Sequence, residues 1–220
     1  MLSLERHSLL TLSGRGRDEA EENRILLLES DAAVWEQYPA IPAIFTGRHT
    51  PGGLLQIGFS YPVRDGKRRV RIASAVSETE VLSAQSPWEV AAEVAEQPTP
   101  LGTRLRQIRA IAEHRGVRLG LFGAAAMEGA TGLGYLHRES DLDLLADRAP
   151  LPVLKAFMET LADWEVETGS RSDAELRLSN TCYCKLRELL REQSTVLCRG
   201  GEEPMLLSRR TVLSMLETAD

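Results

Sequence analysis

The residues best suited to chemistry are two aspartates, Asp141 and Asp143, in the apolar run Asp-Leu-Asp-Leu-Leu. Residues two apart on an extended strand point to the same face, so both carboxylates project together while Leu142 points to the other side. Neighbouring carboxylates repel each other and are costly to bury, so a cation often lies between them. Mg²⁺ suits such a pair because it binds one or two carboxylates together with substrate phosphates. The alternative is an exposed strand whose acids are only solvated.

A glycine turn lies upstream of the aspartates. The apolar run of residues 119–122 ends at Gly123, where a side chain would keep a ligand away from the backbone. The small residues that follow, beginning with Ala124, can open a helix, and a helix N-terminus favours a bound phosphate. A strand, a glycine turn and a second strand with two carboxylates therefore favour a phosphate-handling site.

These residues carry a resemblance to a known family. Residues 122–123 (Phe-Gly) followed by residues 140–144 (Ser-Asp-Leu-Asp-Leu) resemble the nucleotidyltransferase pattern of a glycine, then serine or glycine, before a strand with Asp-x-Asp. The longer string TGLGYLHRESDLDLL, residues 131–145, resembles the phosphoribosyl-dephospho-CoA transferases of malonate decarboxylase, which are holo-acyl-carrier-protein synthases. Residues 6–10 (RHSLL) and 173–176 (DAEL) also look like segments of that family.

The resemblance implies a transferase that moves the 2'-(5''-phosphoribosyl)-3'-dephospho-CoA group from its triphosphate precursor to a serine of an acyl carrier protein subunit, with release of pyrophosphate. It implies Mg²⁺ held by Asp141 and Asp143, and substrate contacts at Gly123, Ala124 and Ser140. Ala124 departs from the pattern, which leaves a backbone contact to phosphate but no side-chain contact.

Nucleotidyltransferases use a third carboxylate from a neighbouring strand. Asp173 and Glu175 share one face of a strand-like segment and compete for this role. We favour Glu175 as the third catalytic carboxylate, because Ala174 and Leu176 should anchor it in the sheet. The alternative is a pair of exposed acids on a hairpin.

Further basic side chains could supply countercharge to the phosphates. The candidates are Arg138, Lys155 and Lys185, and the sequence does not rank them. Two other functions also stay open: a nucleotidyltransferase with a different protein or small-molecule acceptor, and a non-catalytic relative that binds a nucleotide or a partner.

Composition excludes several classes of protein. The chain has 220 residues, 43% of them hydrophobic, and a net charge of −6, which argues against a nucleic-acid binder. There is no apolar run of about 18 residues, so we expect no membrane span, and the N-terminus lacks a secretory pattern, so we expect a cytoplasmic location. The three cysteines include a Cys-x-Cys pair, which lacks the spacing of a zinc site.

The segment QPTP at residues 97–100 is the natural domain boundary. We expect an α/β (α+β) protein with a small N-terminal α+β domain at residues 1–97 and a nucleotidyltransferase-like domain with a mixed sheet at residues 98–220. In the first domain, Asp-Gly between strands at residues 54–63 and 68–76 predicts a hairpin. Arg69 and Arg71 would lie on its outer face, either solvated or in contact with an acidic carrier protein.

Local signals predict the other elements. Ser77 to Glu80 and Ser86 to Glu89 have capping-box spacing and predict two short helices, and Thr99 should cap a third. The remaining predictions are a strand at residues 24–28, a short helix capped by Ser30, a helix from Pro152, strands at 164–168 and 174–178 around a turn at 169–172, a helix at 186–191, strands at 195–198 and 205–207, and a helix at 210–216.

Overall fold

The computed structural model describes residues 4–25, 31–66, 68–191, 193–201 and 203–217, which form two β-sheets with helices packed against them. The predicted α+β fold class is confirmed. The strands are β1 (Leu9–Leu12), β2 (Ala43–His49), β3 (Leu55–Asp65), β4 (Arg68–Val76), β5 (Val81–Gln85), β6 (Leu119–Phe122), β7 (Leu142–Ala146), β8 (Ser172–Ser179), β9 (Cys182–Lys185), β10 (Thr195–Arg199) and β11 (Met205–Ser208). The helices are α1 (Gly14–Glu22), α2 (Asp31–Gln37), α3 (Pro87–Glu96), α4 (Pro100–His114), α5 (Gly123–Thr131), α6 (Leu151–Thr168), α7 (Leu186–Leu190) and α8 (Arg209–Glu217).

The N-terminal sheet is antiparallel, with the strand order β4-β3-β2-β1-β5. The predicted hairpin between β3 and β4 is present, and Val70 and Ile72 are buried on its inner side. The predicted helix after Ser77 is wrong. The Ser77 hydroxyl donates to Glu19 instead of capping a helix, and only residues 78–80 form a single 3₁₀ turn. Residues 81–85 then extend because they complete the sheet against β1.

The C-terminal sheet is mixed, as predicted, with the order β11-β10-β9-β8-β7-β6 and a parallel pair formed by β7 and β8. The prediction of a strand at residues 164–168 is wrong, because these residues are the last turns of α6. Trp164 is buried on the same apolar stripe as Phe157 and Leu161, and the helix ends where Gly169 takes the left-handed conformation. Strand β8, which carries the acids, lies between β7 and β9 in the sheet, and the predicted hairpin between residues 164–168 and 174–178 is not formed.

Other local predictions are confirmed. Ser86 and Glu89 form a complete capping box at the start of α3, and the Thr99 hydroxyl accepts a hydrogen bond from the Gly102 N–H at the start of α4. The predicted elements at residues 186–191, 195–198, 205–207 and 210–216 correspond to α7, β10, β11 and α8. Ile25 forms a single bridge to Ala73, whereas the rest of the predicted strand at residues 24–28 and the cap at Ser30 lie outside the described residues.

The two sheets share one apolar core. Helix α3 precedes the predicted domain boundary, yet it packs against β6, α4 and α5, which follow that boundary. One continuous cluster of buried side chains includes residues of both sheets, such as Phe59 of β3 and Leu144 of β7. The division at residue 97 stays a prediction. Within the described residues, no helix is long and apolar enough to cross a membrane.

Candidate active site

The two aspartates lie at one end of the parallel strand pair. Strand β7 begins at Leu142, so Asp141 immediately precedes it and Asp143 is its second residue. Leu142 and Leu144 are buried on the opposite face, which confirms the predicted alternation. In the β7–β8 pair Asp143 stands beside Asp173, which places the acids of both strands on the same face of the sheet.

Gly123 packs directly against the Asp143 carboxylate. Its φ angle is +69°, and a β-carbon built there would overlap Oδ2 and Cγ of Asp143. The preceding residue, Phe122, pairs with Asp143 across the β6–β7 ladder, and α5 begins at Gly123 itself. Both the backbone conformation and the close carboxylate therefore require glycine at this position. The turn brings the N-terminus of a nine-residue helix next to the acids.

Ala124, the second residue of α5, has a half-buried methyl side chain. Ser140 lies in the turn before β7, where its hydroxyl oxygen accepts a hydrogen bond from the His137 N–H at 3.0 Å. Ser140 therefore shapes the approach to Asp141. Substrate contacts at Ala124 and Ser140 remain predictions.

The segment before this turn is anchored to both halves of the molecule. Tyr135 is buried, and its hydroxyl donates to the Ser60 carbonyl oxygen of β3 at 2.8 Å. The Glu128 carboxylate on α5 accepts hydrogen bonds from the backbone N–H groups of Tyr135 and Leu136, at 2.9 and 2.7 Å. These contacts fix the loop that leads into Asp141.

Glu175 is the most buried of the four acids, with 6% of its surface exposed, and three basic groups surround it. Arg6 Nη1 lies 3.2 Å from Oε2, His7 Nε2 lies 3.6 Å from Oε2, and Lys185 Nζ lies 3.2 Å from Oε1. Burial alone would raise the pKa of Glu175. The interaction with His7 and the charges of Arg6 and Lys185 outweigh burial and lower the pKa to about 2.

Asp173 differs from Glu175 in exposure. Its side chain is 38% exposed against 8% for Glu175, in the order expected from the sequence. Lys185 Nζ lies 2.6 Å from Asp173 Oδ2, so one ammonium group bridges both acids of β8. Of the three basic candidates, Lys185 contacts the carboxylates, whereas Arg138 and Lys155 are exposed.

Arg6 and His7 are site residues that sequence reasoning did not identify. They come from the segment before β1, 169 positions before Glu175 in the case of Arg6. His7 has a φ angle of +72°, which is unusual for a residue other than glycine, and its ring stacks on Phe122 with the ring centroids 4.1 Å apart. Burial lowers the pKa of His7, so the ring is neutral near pH 7. The only signal was the family likeness of residues 6–10.

Asp141 and Asp143 have different electrostatic surroundings. The pKa of Asp143 is raised to about 6, chiefly by burial. The charge of Lys185 lowers this pKa, whereas the negative charges of Asp173, Glu175 and Asp141 raise it further. Asp141 is 38% exposed and lies 2.7 Å from Nε of Arg171. The negative charge around Asp143 is therefore only partly balanced by the protein.

This donor set fits a hard cation. Within the described residues, no group of three His, Cys, Asp or Glu side chains is arranged to hold a metal ion. Asp141 and Asp143 offer two carboxylates, and Mg²⁺ commonly binds that number together with waters and substrate phosphates. Burial, reinforced by the neighbouring acids, raises the pKa of Asp143, and a bound cation would favour its charged form. The three cysteines are buried free thiols.

Comparisons with known proteins find chains of similar sequence. The sequence profile for the C-terminal domain of phosphoribosyl-dephospho-CoA transferase MdcG matches residues 89–210. Among curated proteins named phosphoribosyl-dephospho-CoA transferase, one from Xanthomonas euvesicatoria pv. vesicatoria is 28% identical over 181 residues, 82% of this chain and 84% of that protein. One from Xanthomonas campestris pv. campestris (strain 8004) is 30% identical over 173 residues, 78% and 79% of the two chains.

A third such protein, from Bradyrhizobium diazoefficiens, is 26% identical over 212 residues, which cover 95% of this chain and 92% of that protein. The similarity therefore extends through the N-terminal sheet as well as the sheet with the acids. No solved structure matches the chain at a significant level.

Proposed function

Because this chain belongs to the phosphoribosyl-dephospho-CoA transferase (MdcG) family, we propose that it transfers the 2'-(5''-phosphoribosyl)-3'-dephospho-CoA group to a serine of the malonate decarboxylase acyl carrier protein. The donor is the triphosphate precursor. The serine oxygen forms a bond to the phosphorus nearest the ribose, the bond from that phosphorus to the departing oxygen breaks, and pyrophosphate leaves. The serine proton is released to solvent or to a nearby base.

The observation that supports this proposal is the position of Asp141 and Asp143 beside the turn at Gly123. Asp141 and Asp143 would hold Mg²⁺, which supplies positive charge to the departing phosphate oxygens when bound. The positive φ of Gly123 and the absence of a side chain there allow the polyphosphate to approach the first N–H groups of α5. Positioning and charge compensation are the main demands of phosphoryl transfer.

We assign Glu175 the task of holding the basic groups in place. A carboxylate with a pKa of about 2 is a weak proton acceptor, so the removal of the serine proton does not suit it. Its contacts instead fix Arg6, His7 and Lys185 beside the acids. Asp173 is more exposed and adjoins Asp143, so it is the remaining candidate of the two acids of β8 for a contact with the acceptor.

The test is direct detection of the product. Apo carrier is incubated with the triphosphate precursor, Mg²⁺ and enzyme, and its intact mass is measured together with pyrophosphate. We expect a mass gain of one phosphoribosyl-dephospho-CoA group on the serine and an equal amount of pyrophosphate, with Asp143→Asn as the inactive control. Pyrophosphate without a mass gain would indicate a different acceptor. No pyrophosphate with any acceptor would indicate a non-catalytic relative.

A further inference from the structure

The outer face of the β3–β4 hairpin carries arginines that face one another. Arg64 and Arg69 are directly opposite in the strand pairing, and Arg71 lies two residues further along β4 on the same side, opposite Ser60. Like charges directly opposite each other destabilise a strand pair. A concentration of arginine in a chain with a net charge of −6 therefore has a cost in stability, which a binding function would explain.

The charges of the three arginines act on one another. Burial is the largest cause that lowers the pKa of Arg69, and the positive charges of Arg64 and Arg71 lower it further. Tyr135 and Glu128 act in the opposite direction and raise this pKa. Arg64 and Arg71 are both exposed. Small-molecule sites are usually concave, whereas an open charged face suits the surface of another macromolecule.

This surface adjoins the loop that leads into the acids. Arg69 Nη2 donates to the Tyr135 carbonyl oxygen at 2.5 Å, and Arg64 Nη2 lies 2.9 Å from His137 Nε2. His137 and Ser140 close a tight turn through two hydrogen bonds, and Asp141 follows at once. A partner bound on the hairpin would therefore lie beside the turn that directly precedes Asp141, one of the candidate metal ligands.

We propose that the basic face formed by Arg64, Arg69 and Arg71 is the docking surface for the acceptor protein, and that it binds an acidic face beside the acceptor serine. The inference rests on the proposed function, because it takes the acceptor to be a protein. Docking at this face places the serine at the acids of β7, while Tyr135 and Arg69 keep the hairpin and the loop together.

The test separates docking from chemistry. Equilibrium binding of fluorescently labelled apo carrier is measured for the full chain, for Arg71→Glu and for Arg64→Glu/Arg71→Glu. We expect the double variant to raise the Kd for the carrier by roughly tenfold at low salt, and the difference to shrink as ionic strength rises. Arg210→Glu is the matched control, because Arg210 is exposed on α8, at the far end of the chain, and we expect it to change the Kd less than twofold.

Each outcome decides the question. An unchanged carrier Kd in the double variant, or no carrier binding by the unmodified chain, would overturn the docking surface. Calorimetry with the triphosphate precursor alone provides the second arm: weaker precursor binding with unchanged carrier binding would mean that the arginines bind the small substrate, which also overturns it. Charge-sensitive carrier binding without a mass gain on the carrier would refute the proposed function and leave the docking surface standing.

Discussion

At the scale of single residues, the surroundings of Gly123 leave little room for any residue other than glycine. We expect Gly123→Val to reduce transfer by at least about 100-fold, because a side chain there overlaps the Asp143 carboxylate and a branched residue is strained at a φ angle of +69°. Transfer rate and precursor affinity are the measurements. Gly169→Ala is the control, since it has a φ angle of +65° with open space around its β-carbon, and it isolates the backbone cost. Equal activity in both variants would contradict the assignment.

Asp143 should be a site where stability and activity conflict. Its pKa of about 6 in the folded protein lies above the value in the unfolded chain. The protonated group therefore contributes stability at low pH, and this contribution is lost as the pH rises from about 4 to 6. Without metal at pH 8, we expect Asp143→Asn to be more stable by about 2 kcal/mol while transfer is lost. The difference in unfolding free energy should vanish at pH 4. Asp141→Asn, half-exposed beside Arg171, should change stability by less than about 0.5 kcal/mol. A less stable Asp143→Asn at pH 8 would refute this account.

Glu175 should behave in the opposite way. Its pKa is lowered to about 2, so its contribution to stability is present above about pH 4.5 and is lost as pH falls towards 2. We expect Glu175→Gln to cost about 3 kcal/mol at pH 7, because Arg6 and Lys185 lose a buried partner, and to depress the transfer rate strongly. Asp173→Asn should do much less on both measures. The reverse ranking in rate would contradict the assigned role of Glu175 in holding Arg6, His7 and Lys185 in place.

The sequence was sufficient to predict that the two aspartates share one face of a strand beside a glycine turn, because this arrangement depends on local spacing. Asp141 and Asp143 need only the period of an extended strand, and Gly123 needs only a turn. Arg6 and His7 could not be predicted in the same way. Their positions at the site depend on how the N-terminal segment packs over a sheet whose strands lie more than 100 residues later.

At the scale of elements, the short segment before β1 joins the two sheets. Glu5 accepts a hydrogen bond from Trp88 Nε1 at 2.6 Å and lies 3.1 Å from Arg177, and the next two residues contact Glu175. We expect Glu5 and Arg177 to be coupled by about 1 kcal/mol in a double-mutant cycle of unfolding free energies with Glu5→Gln and Arg177→Gln. Both variants should also slow transfer by displacing Arg6. Additive effects on stability, with unchanged transfer, would show that Glu5 is not coupled to Arg177 and that this contact does not position Arg6.

Elements with local start signals were predicted well, and those set by distant partners were not. The capping box at Ser86 and the cap at Thr99 define α3 and α4 by contacts within one turn. Residues 81–85 become a strand because β1 offers an unpaired edge, and residues 164–168 stay helical because Trp164 continues a buried stripe. The pairing with β1 cannot be recognised from the sequence near residues 81–85, whereas Trp164 follows Leu161 at helical spacing, so the extension of α6 was visible in the sequence.

At the scale of the whole molecule, the position of α3 bears on the boundary predicted at residue 97. The helix covers Gly120 of β6 so closely that a β-carbon there would meet Pro87 and Trp88. Six residues of the helix are buried, namely Pro87, Trp88, Val90, Ala91, Val94 and Ala95. Full burial of a large apolar side chain contributes about 1.5–3 kcal/mol, so loss of this helix removes an amount comparable to the net stability of a domain.

We therefore expect a fragment of residues 98–220 to lack a cooperative thermal transition, because β6, α4 and α5 lose the helix that covers them. A fragment of residues 86–220, which retains α3 and its capping box, should melt cooperatively but below the full chain. It should be inactive in transfer, since it lacks Arg6 and His7. Circular dichroism melts of both fragments and of the full chain provide the measurement. If residues 98–220 melted with the midpoint of the full chain, the boundary at residue 97 would be correct and the packing of α3 would contribute little to stability.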